Sequence, residues 1–211
     1  MPFNIRQFAN DVLQQGLLRD NRFEVAIGTP AGMVGNAIAQ QATRSVLTCE
    51  QAVLPGVSVL TDKVRRYGYG ALEQKPVGVA FTDAQFVFRC DDGGAVYDFL
   101  HGWQQIVCNF ELKDGINTVT GPGNSYYPHE LTYPADYRSD ITVTAFNQNG
   151  GDAVRVVLRD AWPVHVGDVN VAWSSQGSYL RVPASFAYFN WFRDQTLWLG
   201  DASGGNVTTL A

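Results

Sequence analysis

Three stretches in the second half of the chain repeat with a period of two, a rhythm that β-strands satisfy and helices do not. Ile141, Val143 and Ala145 alternate with Thr142, Thr144 and Phe146, and Val154, Val156 and Leu158 alternate with Arg155, Val157 and Arg159. Between them NQNGGD supplies the Asn and Gly of a hairpin turn. Leu180, Val182, Ala184, Phe186 and Tyr188 line one face of a further strand, expected to be the last and longest. A strand with one apolar and one polar face belongs to an antiparallel sheet that packs on a core from one side.

The first half carries the same signal at lower density. In RFEVAIG, Phe23, Val25 and Ile27 share a face, and a second strand is expected from about Ser45 to Val53. Leu54-Pro55-Gly56 breaks it before Val57 to Leu60 resumes an extended path. Residues 61–78, TDKVRRYGYGALEQKPVG, are basic, Gly-rich and poor in core residues, which predicts a long loop leading away from the body. Gln85 to Cys90 reads as a strand, and Asp91-Asp92-Gly93 as the N-terminal cap of a helix with Val96, Phe99, Leu100, Trp103 and Val107 on one face. A second helical stripe, Ile5, Phe8, Ala9, Val12 and Leu13, ends near Gly16. Thr29 to Arg44 and residues 109–134 lack a period and predict loops. Together these elements predict a mainly β chain: an antiparallel sandwich or partly open barrel of about seven strands with two packed helices. Residues 1–191 form one domain in this reading, and 192–211 a C-terminal arm.

Charge and motifs narrow the function classes. Acids outnumber bases by 20 to 15, so nothing draws the whole chain to phosphate backbones or anionic lipid. No apolar run reaches the roughly 18 residues of a membrane helix, and MPFNIRQFANDVLQQ lacks the pattern of a cleaved signal. A soluble chain with no membrane anchor is the expectation. Cys49, Cys90 and Cys108 have no C-x-x-C spacing and read as reduced thiols. GTPAGMVG lacks the Lys-Ser/Thr of a phosphate loop, Ser125 is not in G-x-S-x-G, and His101, His129 and His165 have no metal-ligand spacing. Asp83 could join Asp91 and Asp92 as a carboxylate set, but the helix cap already accounts for that pair. No catalytic residue, metal or cofactor is assigned, and the chain is not expected to be an enzyme. Residues 63–70 interleave Lys63, Arg65 and Arg66 with Tyr67 and Tyr69, a pattern able to grip phosphates and stack on bases. Three charges are a weak footprint, and a subunit-contacting loop explains them equally well.

The most distinctive stretch is DAWPVHVGDVNVAW, residues 160–173. Pro163 removes a ladder donor and is expected to end one strand, Gly167 permits re-entry beside Asp168, and Trp162 and Trp173 offer apolar contacts at either end of a strand from Val166 to Trp173. The order of a strand, LRDAWPVHVGDVNVAW, a turn and a strand ending SFAYFNW resembles the tail tube proteins of contractile-tailed bacteriophages. RDNRFEVAI, a Leu-Pro-Gly after the second strand and a helix ending HGWQQIV fall in the same order, from about Arg19 to Trp191.

The resemblance implies a homo-oligomeric ring, of six subunits in that family, whose sheets join edge to edge into a β-barrel. Rings would stack into a tube inside a sheath, on a baseplate hub, as the conduit for a tape-measure protein and then DNA. It implies a place in the virion tail, assembled in the host cytoplasm, and makes 61–78 the loop that reaches a neighbouring ring. Lys63, Arg65, Arg66, Tyr67, Tyr69 and Leu54-Pro55-Gly56 become interface candidates. Acids facing the lumen would keep DNA from adhering. The long loops and the tail beyond Phe192 would also suit a baseplate tube initiator, the first ring on the hub. A carbohydrate-binding β-sandwich module is the alternative of another class, although most aromatics here fall on core faces. Proline at Thr142, Val143 or Thr144 is expected to abolish assembly by removing ladder donors, seen as loss of rings in electron micrographs.

Overall fold

The computed structural model describes residues 17–34, 48–65, 68, 70–110, 129–174 and 177–194. The helical stripe from Ile5 to Leu13, residues 35–47 and 111–128, and the tail after Asp194 lie outside the described residues. The strands are β1 (Phe23–Ile27), β2 (Cys49–Ala52), β3 (Val57–Val64), β4 (Glu73–Phe81), β5 (Ala84–Arg89), β6 (Ser139–Phe146), β7 (Asp152–Val166), β8 (Arg181–Ala187) and β9 (Asn190–Arg193). Helix α1 (Ala95–Val107) and the short α2 (Pro134–Tyr137) accompany them, with a 3-10 turn at Ala31–Met33.

All pairings are antiparallel, in the order β1-β6-β7-β8-β5-β2, with β9 also on β7 and β3-β4 forming a separate two-stranded ribbon. This is the expected mainly β architecture, a partly open barrel that does not close within one chain. Its core forms where alternating faces meet: Val25, Ile141, Val143 and Leu158 from one side, Phe86, Phe88, Val182 and Phe186 from the other. Helix α1 seals it with Phe99, Leu100 and Trp103, all fully buried. The Trp103 ring packs 5.7 Å from Phe186, and its Nε1–H donates to the Tyr137 carbonyl at 2.7 Å, so the burial leaves that polar atom satisfied. The helix cap is subtler than expected: Gly94 takes the N-cap position at φ 71°, and Asp91 reaches past it to accept the Ala95 N–H at 2.7 Å.

Three strand expectations require correction. Trp162-Pro163 does not divide two strands: β7 runs through it for 15 residues and is the longest strand. Ser139↔Ala161 is the last pair with β6, so beyond it β7 has an open edge, where a proline is tolerated. The bend comes earlier, at Asp160, whose φ of 53° turns the strand and whose N–H is accepted by the Asp140 carboxylate at 3.0 Å. Second, the strand expected from Val166 to Trp173 does not form beyond Val166; the ladder ends where the Gly167 N–H donates to the Pro183 carbonyl, and Val169 packs against the core as loop. Third, the strand expected to be the last, β8, ends at Ala187 and is followed by β9. β8 and β9 follow one another along the same side of β7, from Val166↔Ala184 to Val156↔Arg193, which places Phe192 and Arg193 in the sheet rather than in an arm.

Gly167 is a glycine for want of space: a Cβ there would lie 2.7 Å from Pro183 Cγ. Gly167→Ala is expected to destabilise the chain by about 1–3 kcal/mol, and Pro183→Ala to restore most of the loss, read from urea midpoints.

Candidate assembly surface

Pairing Ala52↔Phe86 continues as Val57↔Phe81, so β2-β3 and β4-β5 are one long ribbon interrupted at residues 53–56 and 82–83. Leu54-Pro55-Gly56 therefore marks the break between the body and an arm. Its root is tied down: the Val53 N–H donates to the Gln85 carbonyl at 3.0 Å, the Tyr188 hydroxyl to the Thr82 carbonyl at 2.8 Å, and the Phe81 and Tyr188 rings lie 5.9 Å apart. Beyond the root every residue of β3 is exposed. The expectation of a loop over 61–78 is thus half right. The segment leaves the body, but as strands, because Val57, Val59, Val64, Val77 and Val79 suit a pleated backbone. Val57 and Val59 share a face with their partners Phe81 and Val79, and Val59, Val77 and Val79 are 57%, 67% and 56% exposed. A ribbon of two strands is marginal alone, and an uncovered apolar face on it marks a contact surface.

The predicted basic cluster divides. Lys63 lies on β3 with its backbone N–H donating to the Asp62 carboxylate at 2.8 Å, and Arg65 follows the strand. Gly68 and Gly70 take φ of 76° and 92°, which the reversal at the end of the arm requires. Arg66, Tyr67 and Tyr69 lie outside the described residues.

At the strand corner, Trp162 is half-buried, edge-on to Tyr137 at 5.7 Å, and Pro163 is buried. Asp168 is exposed, and Trp173, expected to pack at a strand end, stands wholly in solvent at 105%. No strand carries it back to the core. The two edge strands of the body, β1 and β2, flank a groove of about 680 Å³ lined by Leu18, Phe23, Ala52, Leu54 and Val143.

Sequence reasoning missed an ion cluster beside that edge. Arg89 and Arg181 are cross-strand partners, like charges held together by Glu50 from β2. Its carboxylate accepts Arg181 Nε at 2.8 Å and Nη2 at 3.2 Å, with Arg89 Nε at 3.4 Å. The Arg181 hydrogen bonds, then those of Arg89, hold the Glu50 carboxyl below its ordinary value. Next to it burial pushes the Cys49 thiol up to about 12, which makes it inert as a thiolate. Glu50 and Arg181 stand 131 residues apart, so no spacing rule could join them. Among the described residues no group of three or more His, Cys, Asp or Glu side chains could hold a metal, and no helix is long and apolar enough to cross a membrane.

The arm and the unpaired sheet edges leave surfaces on which other chains could add. The sequence model of the phage tail tube protein family matches residues 18–194. The chain belongs to that tail tube family. It is thereby a structural tube protein of tail assemblies. Among solved structures, its fold is similar to a chain of the anti-feeding prophage tube-terminating cap (TM-score 0.57, 13% identity, 88% of this chain and 95% of that one). A chain of the anti-feeding prophage baseplate gives 0.53 at 8% identity, over 84% and 95%. A chain of the sheath-tube complex of the extracellular contractile injection system PVC gives 0.51 at 14%, over 91% and 98%. No curated protein matches the sequence.

For this tail tube family chain the Glu50 cluster sets an acid limit. A depressed folded value contributes stability that is present above the ordinary value of 4.5 and lost as pH falls through the folded value. Below pH 4.5 the wild type should lose stability faster than Glu50→Gln, which has no proton to take up, in denaturation curves measured across that window.

Proposed function

We propose that the chain is the inner tube subunit of a contractile tail-like particle. Copies close into a homo-oligomeric ring, of six subunits, by pairing sheet edges that a single chain leaves open, and rings stack into the conduit that a sheath surrounds. The observation that carries this is the β3-β4 arm: a ribbon with an uncovered apolar face on an open-edged body, in a chain of the tail tube family. Open edges invite further strands, and ring closure removes them. The arm reaches the neighbouring ring, with Leu54-Pro55-Gly56 at its root, and Lys63, Arg65, Arg66, Tyr67 and Tyr69 are the residues that make the contact. Tape-measure protein, then DNA, pass through the lumen, and a baseplate hub or tube initiator seeds the first ring.

The likeness to a baseplate chain favours a second reading, the tube initiator itself. Electron microscopy over a concentration series separates the two, since long tubes mark the tube subunit and assemblies that stop at one or two layers mark the initiator. Replacing residues 63–74 by Asn-Gly joins Asp62 directly to its partner Lys75 through a tight turn. Rings are expected to survive this change and stacks to shorten sharply; tubes of wild-type length would remove the arm from the contact.

A further inference from the structure

Strand β7 divides the body into two sheets. Its first half belongs to β1-β6-β7-β9, a four-stranded sheet whose edge strands β1 and β9 each have one strand partner among the described residues. The other open edges of the body are blunted. The β2 ladder has a register irregularity between Cys49 and Gln51, and Pro163 lies where β7 has passed its last pair with β6; both are devices that discourage a further strand. β1 and β9 contain neither Pro nor Gly and pair without irregularity.

Backbone bonds fix which groups these two edges offer. The Phe146 N–H donates to the Arg22 carbonyl and the Gly28 N–H to the Asp140 carbonyl, so Glu24 and Ala26, in step with them, bond inward to β6. Phe23, Val25 and Ile27 then point their N–H and C=O groups out of the edge. On β9 the Asp194 N–H donates to the Arg155 carbonyl, which leaves Trp191 and Arg193 pointing outward. These five side chains share the core face, since Trp191 and Arg193 stand opposite the buried Leu158 and Val156. Because the sheet has four strands, each antiparallel to the next, β1 and β9 run antiparallel to one another. A copy set beside the first by rotation in a ring therefore brings β1 against β9 with strand direction, outward hydrogen-bonding groups and core faces all matched. An odd number of strands would have made that joint parallel.

We propose that β9 of one subunit pairs antiparallel with β1 of a second copy of this chain, Trp191 opposite Val25 and Arg193 opposite Phe23. On the other face this register sets Arg22 opposite Asp194 and Glu24 opposite Phe192. The register shifted by two residues would set Glu24 opposite Asp194, like charges that destabilise a ladder. The inference rests on the self-assembling tube reading and names the joint that closes its ring.

Within one chain Glu24 and Phe192 lie three strand spacings apart, about 14 Å, which is too far for a disulfide. Oxidising assembled Glu24→Cys/Phe192→Cys protein is expected to give a ladder of covalent multimers on a non-reducing gel, while either single variant, which holds the same native cysteines, gives none. Arg193→Pro removes an outward N–H and leaves the bonds to β7 in place. Its circular dichroism should stay native while the concentration for half-assembly rises at least about tenfold; Arg193→Ala should shift it far less. An assembled double variant that yields no ladder, or Arg193→Pro protein that assembles like the wild type, overturns the joint and leaves the tube reading standing. A wild-type chain that never self-associates overturns both.

Discussion

The architecture depends on one strand belonging to two partnerships. β7 lies between β6 on one side and the β8-β9 run on the other, and it must bend to serve both. The bend is a single left-handed residue, Asp160, secured by the Asp140 carboxylate on the neighbouring strand. Asp is among the few side chains that accept this conformation without large steric cost. The bend lets the apolar faces of β1, β6 and the first half of β7 close over those of β5 and β8. With α1 across the opening, the core is complete without the two end strands, β1 and β2, pairing with each other.

That incompleteness matters for assembly. A barrel closed within one chain would have no edge to offer, whereas this body ends in β1 and β2 with a groove between them. The same economy shapes the arm. β5 and β8 pair as far as Ala84↔Phe186, after which β9 stays with β7 while β4 leaves with β3. The ring contact between Phe81 and Tyr188 and the hydroxyl bond to Thr82 mark the fork. Among the described residues everything beyond it on β3 is exposed, its valines included.

The charged and apolar features also divide the labour. The Glu50 cluster ties three strands at the edge of the body, where two arginines would otherwise repel. Exposed ion pairs of this kind contribute modestly and weaken with salt. The uncovered valines of the arm carry no charge, so contacts built on them depend little on salt.

Much of the body was legible in the sequence because it is written locally. Val25 and Ile27, Ile141 and Val143, Val156 and Leu158, and Phe99 with Trp103 occupy the faces that their spacing predicted, since each period follows from backbone geometry alone. The break at Leu54-Pro55-Gly56 was legible too, as a place where the chain changes course. What the sequence could not determine was partnership. Pro163 reads as a stop in isolation, yet sits inside a strand because β6 has already ended beside it. Valines 169 and 171 alternate like a strand but have no neighbour to pair with, while the glycine-rich 61–78 segment forms strands because each half has the other. Residues 195–211 and Tyr67 lie outside what the structure describes. Which face a residue takes is set by its own backbone; whether a strand exists, where it bends and which surface stays uncovered are set by hydrogen bonds and packing between residues far apart in the chain, and only the tertiary structure decides those.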